Sequence, residues 1–231
     1  MIEVSNLSKA YGAQQVLRNV SLRLRQASIH GLVGANGAGK TTLINCLYEL
    51  ETSYTGTIRE TTGLALRQHT GLLPYEPYFY PRLTGREYLE FCQQARGRAV
   101  PDFAGWNSLL ELPLDQYADE YSAGMRKKLA LLSLLVQDFH YLILDEPFNG
   151  LDLEANLLLR EILRRLRQRG CGILLTSHIL GAMTEVADEV TVLVAGQVQR
   201  HYAATEFGTL EADLLDAMHQ SKLQHLDKLM P

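Results

Sequence analysis

Val20, Leu22 and Leu24 alternate with Ser21, Arg23 and Arg25, and Ile2, Val4 and Leu7 open the chain in a similar way. A period of two puts one set of side chains on one face, so both segments are predicted as half-buried strands. From Ile29 to Val33 the chain is apolar apart from His30, and it then crosses a glycine-rich stretch into a helix-like segment, Thr41 to Leu50. Strand, glycine loop and helix follow one another there. A turn at Ser53 to Gly56 precedes a short β-prone stretch, and Pro74, Pro77 and Pro81 exclude a helix across the segment that holds Tyr75, Tyr78, Phe79 and Tyr80.

From Thr84 to about Gln137 the pattern becomes helical. Thr84 and Glu87 have capping-box spacing, Leu109, Leu110 and Leu112 stop at Pro113, and a helix is expected over Arg126 to Gln137. Tyr141 to Leu144 is wholly apolar and runs into Asp145-Glu146-Pro147, as in a buried parallel strand whose tip carries function. Leu153 to Arg169 reads as a helix with Ala155, Leu158, Leu159, Ile162, Leu163 and Leu166 inward and Gly170 as its stop. Ile173 to Leu175 and Val190 to Val194 supply two more strands. In the tail, Leu210 to Leu229, the residues Leu210, Leu214, Ala217 and Met218 sit at helical spacing, which suits packing on the same domain or a surface for a partner.

Length changes this picture only by bounding it. The 231 residues, at about 150 per domain, make one large domain or one domain with an elaborate insertion. The formal charge of -4 argues against a dedicated nucleic-acid binder, and no nucleic acid is expected as a partner. The longest apolar window, Leu129 to Val136, falls well short of the roughly 18 residues that span a bilayer. Met1 to Lys9 lacks the pattern of a secretory signal, and Cys46, Cys92 and Cys171 lack metal-type spacing, so a reduced, cytoplasmic protein is expected.

The chemistry concentrates in three places. Gly34, Ala35, Asn36, Gly37, Ala38, Gly39, Lys40 and Thr41 satisfy the Walker A pattern between a strand and a helix, and Thr42 follows. Glycines let backbone N–H groups curl around phosphate oxygens, the helix end adds positive potential, Lys40 reaches the outer phosphates and the Thr41 hydroxyl can ligate Mg²⁺. Asp145 suits the hydration shell of that Mg²⁺, while Glu146 suits polarising an attacking water. Adjacent carboxylates on a strand point to opposite sides, which would let them take separate roles. At Tyr121-Ser122-Ala123-Gly124-Met125 a small-residue turn opens a helix, so Ser122 and Gly124 offer a hydroxyl and a bare N–H at a second anion-binding end.

Walker A at 34 to 41, the Tyr-Ser-Ala-Gly-Met signature, Leu144-Asp-Glu-Pro147, Asn149-Gly-Leu-Asp152 and Ser177-His178 come in the order of an ATP-binding-cassette (ABC) ATPase domain, which residues 1 to 208 resemble. The resemblance implies an α/β fold: a P-loop NTPase (RecA-like) core with an N-terminal antiparallel β-subdomain and an inserted α-helical subdomain. Core and β-subdomain would occupy about 1–75 and 139–208, the helical subdomain about 76–138 and a helical tail about 209–231. It implies ATP and Mg²⁺ as cofactors, with Thr41 and Asp145 on the metal, Glu146 and His178 as catalytic groups and Tyr11 stacked on adenine. Ser122, Ala123, Gly124 and Met125 would act on ATP bound to the opposite subunit of a head-to-tail homodimer or heterodimer, and Asp152 would lie in the loop joining the two sites. The chain would be peripheral on the inner face of the cell membrane, beneath separate transmembrane permease subunits. A soluble, non-transport ABC ATPase and an ATP-dependent clamp with little turnover are the alternatives.

Three departures from the family pattern stand out. Where a Gln usually follows a Leu-Pro-like pair and contacts Mg²⁺, this chain has Tyr75 and then Glu76. A phenol cannot imitate a short carboxamide, whereas Glu76 could if the register slips by one. Ala123 and Met125 replace a common Gly and Gln, and variants ending in Gly-Met resemble exporters with separate permease chains, which points towards export. The stretch from Gly56 to Gly71 is shorter than usual. Arg160, Arg164, Arg165, Arg167 and Arg169 form a basic cluster whose helix dipole and Glu161–Arg165 spacing fit a solvated face better than nucleic acid.

Overall fold

The first two strands form a hairpin across Gly12, whose φ of 57° is the left-handed conformation that glycine adopts without strain. β1 (Ile2–Tyr11) and β2 (Gln14–Leu24) pair antiparallel with Ile2 opposite Leu24, Val4 opposite Leu22 and Leu7 opposite Val20, so the period-two apolar set lies on one face. β4 (Thr55–Glu60) adds to the other edge of β1. The computed structural model describes residues 1–97, 99, 103–177 and 180–214.

A second sheet has the order β5-β6-β7-β3-β8-β9. Its strands are β5 (Thr70–Leu73), β6 (Tyr141–Leu144), β7 (Gly172–Thr176), β3 (Ile29–Val33), β8 (Glu189–Val194) and β9 (Gln197–Ala203). All are parallel except β9, which runs antiparallel on β8. The parallel strands are buried on both faces: Leu32, Tyr141, Ile143 and Leu174 face a core shared with the three-stranded sheet, while Ile29, Leu142, Leu144, Ile173 and Leu175 face the helical layer. Continuous apolar runs are what such a parallel sheet requires. His30, the polar exception in β3, is buried and bonded through Nε2 to the Thr191 hydroxyl of β8 at 2.6 Å.

A short helix, α2 (Leu66–His69), leads into β5, and between β5 and β6 the chain is helical: α3 (Gly85–Gln94), α4 (Ala104–Leu110) and α5 (Ala123–Leu135). Thr84 and Glu87 form the expected capping box, with Thr84 N–H donating to Glu87 at 2.8 Å and Glu87 N–H to the Thr84 hydroxyl at 3.2 Å. α6 (Leu153–Gln168) buries Ala155, Leu159, Ile162 and Leu163 and ends before Gly170, which has a φ of 95°. Its arginines are held within the chain. Arg165 pairs with Glu161 at 2.6 Å, Arg167 with Asp188 at 2.7 Å, and Arg160 with Glu185.

Two helix ends differ from the sequence expectation. α1 (Lys40–Leu47) stops three residues before Leu50, because Glu49 takes a left-handed φ of 60°. α5 ends at Leu135 rather than Gln137, and Asp138 turns the chain with a φ of 52°. In the tail, Leu210 and Leu214 are buried in the core on the helical side, and Asp213 accepts from Tyr202 at 2.8 Å; Ala217 and Met218 lie outside the described residues. Among the described residues no helix is long and apolar enough to cross a membrane.

Glu60, at the end of β4, ties the two sheets together. Its carboxylate accepts from the Met1 ammonium at 2.8 Å, from the Thr62 hydroxyl at 2.6 Å and from the Tyr141 hydroxyl of β6 at 3.0 Å. Burial pushes its pKa upward, but these hydrogen bonds outweigh it and hold the carboxyl down to about 2. A carboxyl with a lowered folded pKa stabilises the fold above its ordinary value of 4.5, and that contribution is lost as pH falls from there towards 2. Glu60→Gln is therefore expected to cost about 2 kcal/mol at neutral pH, below the roughly 3–5 kcal/mol of a fully buried pair because the Met1 amino group is partly open to water. Urea unfolding should show the deficit shrinking between pH 7 and pH 3; an equal deficit at both would remove the charge of Glu60 from this account.

Candidate functional site

The phosphate-type loop leaves the C-terminal end of β3, in the middle of the parallel sheet, where ligands of open α/β folds bind. Gly37 and Gly39 have φ values of 81° and 105°, and Gly39 N-caps α1 without a side chain to satisfy the first-turn N–H groups. Gly34 is fixed by crowding instead: a Cβ there would lie 2.4 Å from the carbonyl oxygen of Leu193 on β8. Lys40 is buried and donates to the carbonyls of Gly34 at 2.6 Å and Ala35 at 3.3 Å. Its ammonium is thus folded onto the loop that it is expected to serve.

β6 brings its tip beside this loop. The Thr41 hydroxyl donates to one oxygen of Asp145 at 3.3 Å, and the Thr176 hydroxyl of β7 donates to the other at 2.6 Å. The pair expected to share a metal is therefore assembled from residues 104 positions apart. Asp145 and Glu146 are both nearly buried. Their separation does not arise from strand alternation, which corrects the sequence expectation. β6 ends at Leu144, and Glu146 takes a left-handed φ of 51°, so the backbone turns between the two carboxylates.

A cleft of about 530 Å³ opens over the loop, lined by Asn36, Gly37, Gly39, Lys40, Thr41 and Thr42 with Gln14, Gln15, Val16 and Arg18 from β2 and Ala195. The β2 residues carry no motif and escaped the sequence reading; the outward-facing polar positions of that strand, Gln14 and Arg18, were the available signal. Tyr11 stands outside the residues lining this cleft. Its ring lies 4.6 Å from the Lys9 ammonium, and partial burial, then the Glu51 carboxylate, raises its phenol pKa.

The signature lies elsewhere. Ser122 N-caps α5, its hydroxyl accepting from Met125 N–H at 3.2 Å. A Cβ on Gly124 would stand 2.9 Å from the Gly150 carbonyl, so that glycine also permits close packing of α5 on the loop after β6. Ala123 lines a second cleft of about 420 Å³ together with Tyr75, Glu76, Tyr78, Lys127 and Asn149. The two clefts share no lining residue. Asp152 N-caps α6, accepting from Ala155 N–H at 2.7 Å, and lies 3.9 Å from Lys128. The Tyr75 phenol accepts from the Asn149 amide at 3.3 Å, and Glu76 is exposed on the same side. Lys127, which the sequence reading passed over, is nearly buried and donates to the carbonyls of Glu146 at 2.7 Å and Asn149 at 2.9 Å. Burial lowers the pKa of its ammonium, and the Glu146 and Asp145 carboxylates oppose that shift. His178 lies outside the described residues; Ser177 before it is buried.

Among the described residues no group of three or more His, Cys, Asp and Glu forms a metal cage. Thr41 and Asp145 are hard oxygen donors beside a phosphate-type loop, which suits a cation held by few protein ligands and by phosphate oxygens.

Comparison with known proteins agrees with this geometry. Residues 17–149 match the family model described as ABC transporter. The chain is 31% identical to the bacitracin transport ATP-binding protein BcrA of Enterococcus faecalis, over 95% of this chain and 79% of that protein. It is 30% identical to the SkfA peptide export ATP-binding protein SkfE of Bacillus subtilis, over 90% and 91%. Among solved structures, the ATP-binding subunit of an ABC transporter superposes with a TM-score of 0.85 at 28% identity, covering 96% of this chain and 98% of that one. A dimeric bacterial ABC transporter cassette shares the fold with a TM-score of 0.79 at 20% identity, covering 88% and 99%.

Proposed function

We propose, from the premise that this chain belongs to the ABC transporter family as an ATP-binding and ATP-hydrolysing subunit, that it powers export through separate permease chains. The observation that carries the reading is the pair of separate clefts. A nucleotide on the Walker A loop sits over β3 and α1, while Ala123, between Ser122 and Gly124 of the signature, lines a different cleft of the same chain. Two chains arranged head to tail place the signature of each over the Walker A loop of the other.

In that arrangement the N–H groups of residues 34–42 and the Lys40 ammonium bind the phosphates, and Tyr11 packs on adenine at the rim. Mg²⁺, when held by Thr41 and Asp145, neutralises charge on the phosphate oxygens. Glu146 orients and polarises the attacking water, and His178 is the residue assigned to the outer phosphate by its place in the motif order. Ser122, Ala123, Gly124 and Met125 complete the partner's site, and Asp152 holds the loop at the dimer seam. Binding closes the pair and hydrolysis releases it, so the gain is conformational work rather than a product.

Tyr75, Tyr78 and Tyr80 are 47%, 72% and 62% exposed, while Phe79 between them is 5% exposed and anchors the segment. This aromatic segment, whose Tyr75, Tyr78 and Phe79 line the second cleft, receives the permease. The relatives named for bacitracin transport and peptide export, together with the Gly124-Met125 ending, favour export. Purification of the protein from its native membranes is expected to bring down a polytopic membrane protein that changes the rate of ATP hydrolysis. Recovery with ribosomes or nucleic acid instead would overturn the transport reading and leave the ATPase chemistry standing.

A further inference from the structure

The turn after β6 is gripped from two sides at Glu146, and one grip comes from the helical insertion. A residue with a Cβ is unfavourable at a φ of 51°, and one that precedes a proline, as Glu146 precedes Pro147, is ordinarily extended. Such a conformation persists where its surroundings over-determine it. Here the Glu146 N–H donates to the Thr176 hydroxyl at 2.9 Å, and its carbonyl accepts from Lys127 Nζ at 2.7 Å. The same ammonium holds the Asn149 carbonyl at 2.9 Å, so one side chain of α5 spans both ends of the turn.

Tyr75 completes the assembly. Its ring centre lies 5.7 Å from Lys127 Nζ, and its phenol accepts from Asn149 Nδ2 at 3.3 Å. Three segments that are distant in sequence therefore meet at one cation: the loop after β5, the second turn of α5 and the turn that carries Glu146. The ammonium of a lysine that is only 6% exposed is costly to keep unless it is well used, and this one has two carbonyls and a ring around it. Lys128, the next residue, faces Asp152 instead.

We infer that Lys127 is a positioning residue for Glu146, through which the docking of the helical insertion, sensed at Tyr75, sets the rate of hydrolysis without setting the affinity for ATP. The inference rests on the reading of Glu146 as the residue that polarises water.

Lys127→Met keeps the apolar stem and removes the ammonium. Its kcat is expected to fall about 10- to 100-fold, the scale of a misplaced catalytic group, with the Kd for ATP within about twofold of the wild type. In ATP and Mg²⁺ the variant should also accumulate dimer on size exclusion, as is expected of Glu146→Gln, because hydrolysis is slow and binding is intact. A residue that only supported the fold would lose dimer, affinity and rate together, and that result, or a wild-type kcat, overturns the inference. Should the methionine variant not fold, Tyr75→Phe removes a single oxygen from the same assembly. It should lower kcat about threefold at unchanged Kd, the worth of one ordinary hydrogen bond, and an unchanged kcat overturns the coupling. Failure of the underlying reading shows separately, as Glu146→Gln hydrolysing ATP at the wild-type rate whatever Lys127 does.

Discussion

Glu146→Gln should bind ATP as the wild type does, close into a stable dimer and turn over about 100- to 10,000-fold more slowly, the usual worth of a positioned general base. The carboxamide has the shape of the carboxylate but cannot take the proton of an attacking water. The backbone hold on residue 146 does not change, because it uses the N–H to Thr176 and the carbonyl to Lys127 rather than the side chain. Binding and hydrolysis should therefore separate cleanly. Phosphate release under saturating ATP measures hydrolysis, and size exclusion with and without ATP measures binding and closure. Hydrolysis at the wild-type rate would take Glu146 out of its role, and a variant that neither binds nor dimerises would point to damage rather than chemistry.

The second large effect falls on binding. Lys40→Ala is expected to weaken ATP by roughly 10- to 100-fold for each charge-assisted hydrogen bond lost, at about 1.5–3 kcal/mol apiece. Lys40 is buried in the loop, its ammonium bonded to the Gly34 and Ala35 carbonyls, and no other Lys or Arg lies within residues 26–58 to take its place along the chain. Titration of both proteins with a fluorescent ATP analogue gives the ratio directly. Affinity within about threefold of the wild type would mean that Lys40 makes no phosphate contact, since a single net hydrogen bond is already worth that much. The two variants together divide the site: one loses the nucleotide, the other keeps it and cannot finish.

Much of the site was legible because its signals are local. Glycines at 37 and 39 mark backbone that only a residue without a side chain enters freely, and the apolar run Tyr141 to Leu144 marks a strand buried on both faces. Thr84 and Glu87 announce a helix start three residues at a time, and the structure has that box. Order then added what spacing could not, since five motifs in sequence single out one family, to which the chain belongs.

Other features depend on contacts that no local pattern records. Lys127 and Lys128 are neighbours in the sequence, and their difference of about 100° around the helix axis sends one to the Glu146 turn and the other towards Asp152. Periodicity could not say which of the two is buried, because α5 has apolar residues nearly all around it beyond Lys128. Gly124 looked like a bare N–H for phosphate, and it is also the point where α5 touches Gly150. Tyr75, a departure in the sequence, has a local purpose in its hydrogen bond from Asn149.

The sequence by itself determined most of the strands, though not β5 or β9, together with the phosphate-type loop, the carboxylates at the tip of β6 and the family, because each is written in residues close together or in a fixed order. Only the tertiary structure decided that Thr41 meets Asp145, that Glu146 is turned by its backbone rather than by strand alternation, and that Ala123 of the signature lines a cleft apart from the Walker A loop. Those outcomes depend on how distant segments pack against one another, and packing is set by the shapes of two surfaces at once, which neither stretch of chain specifies alone.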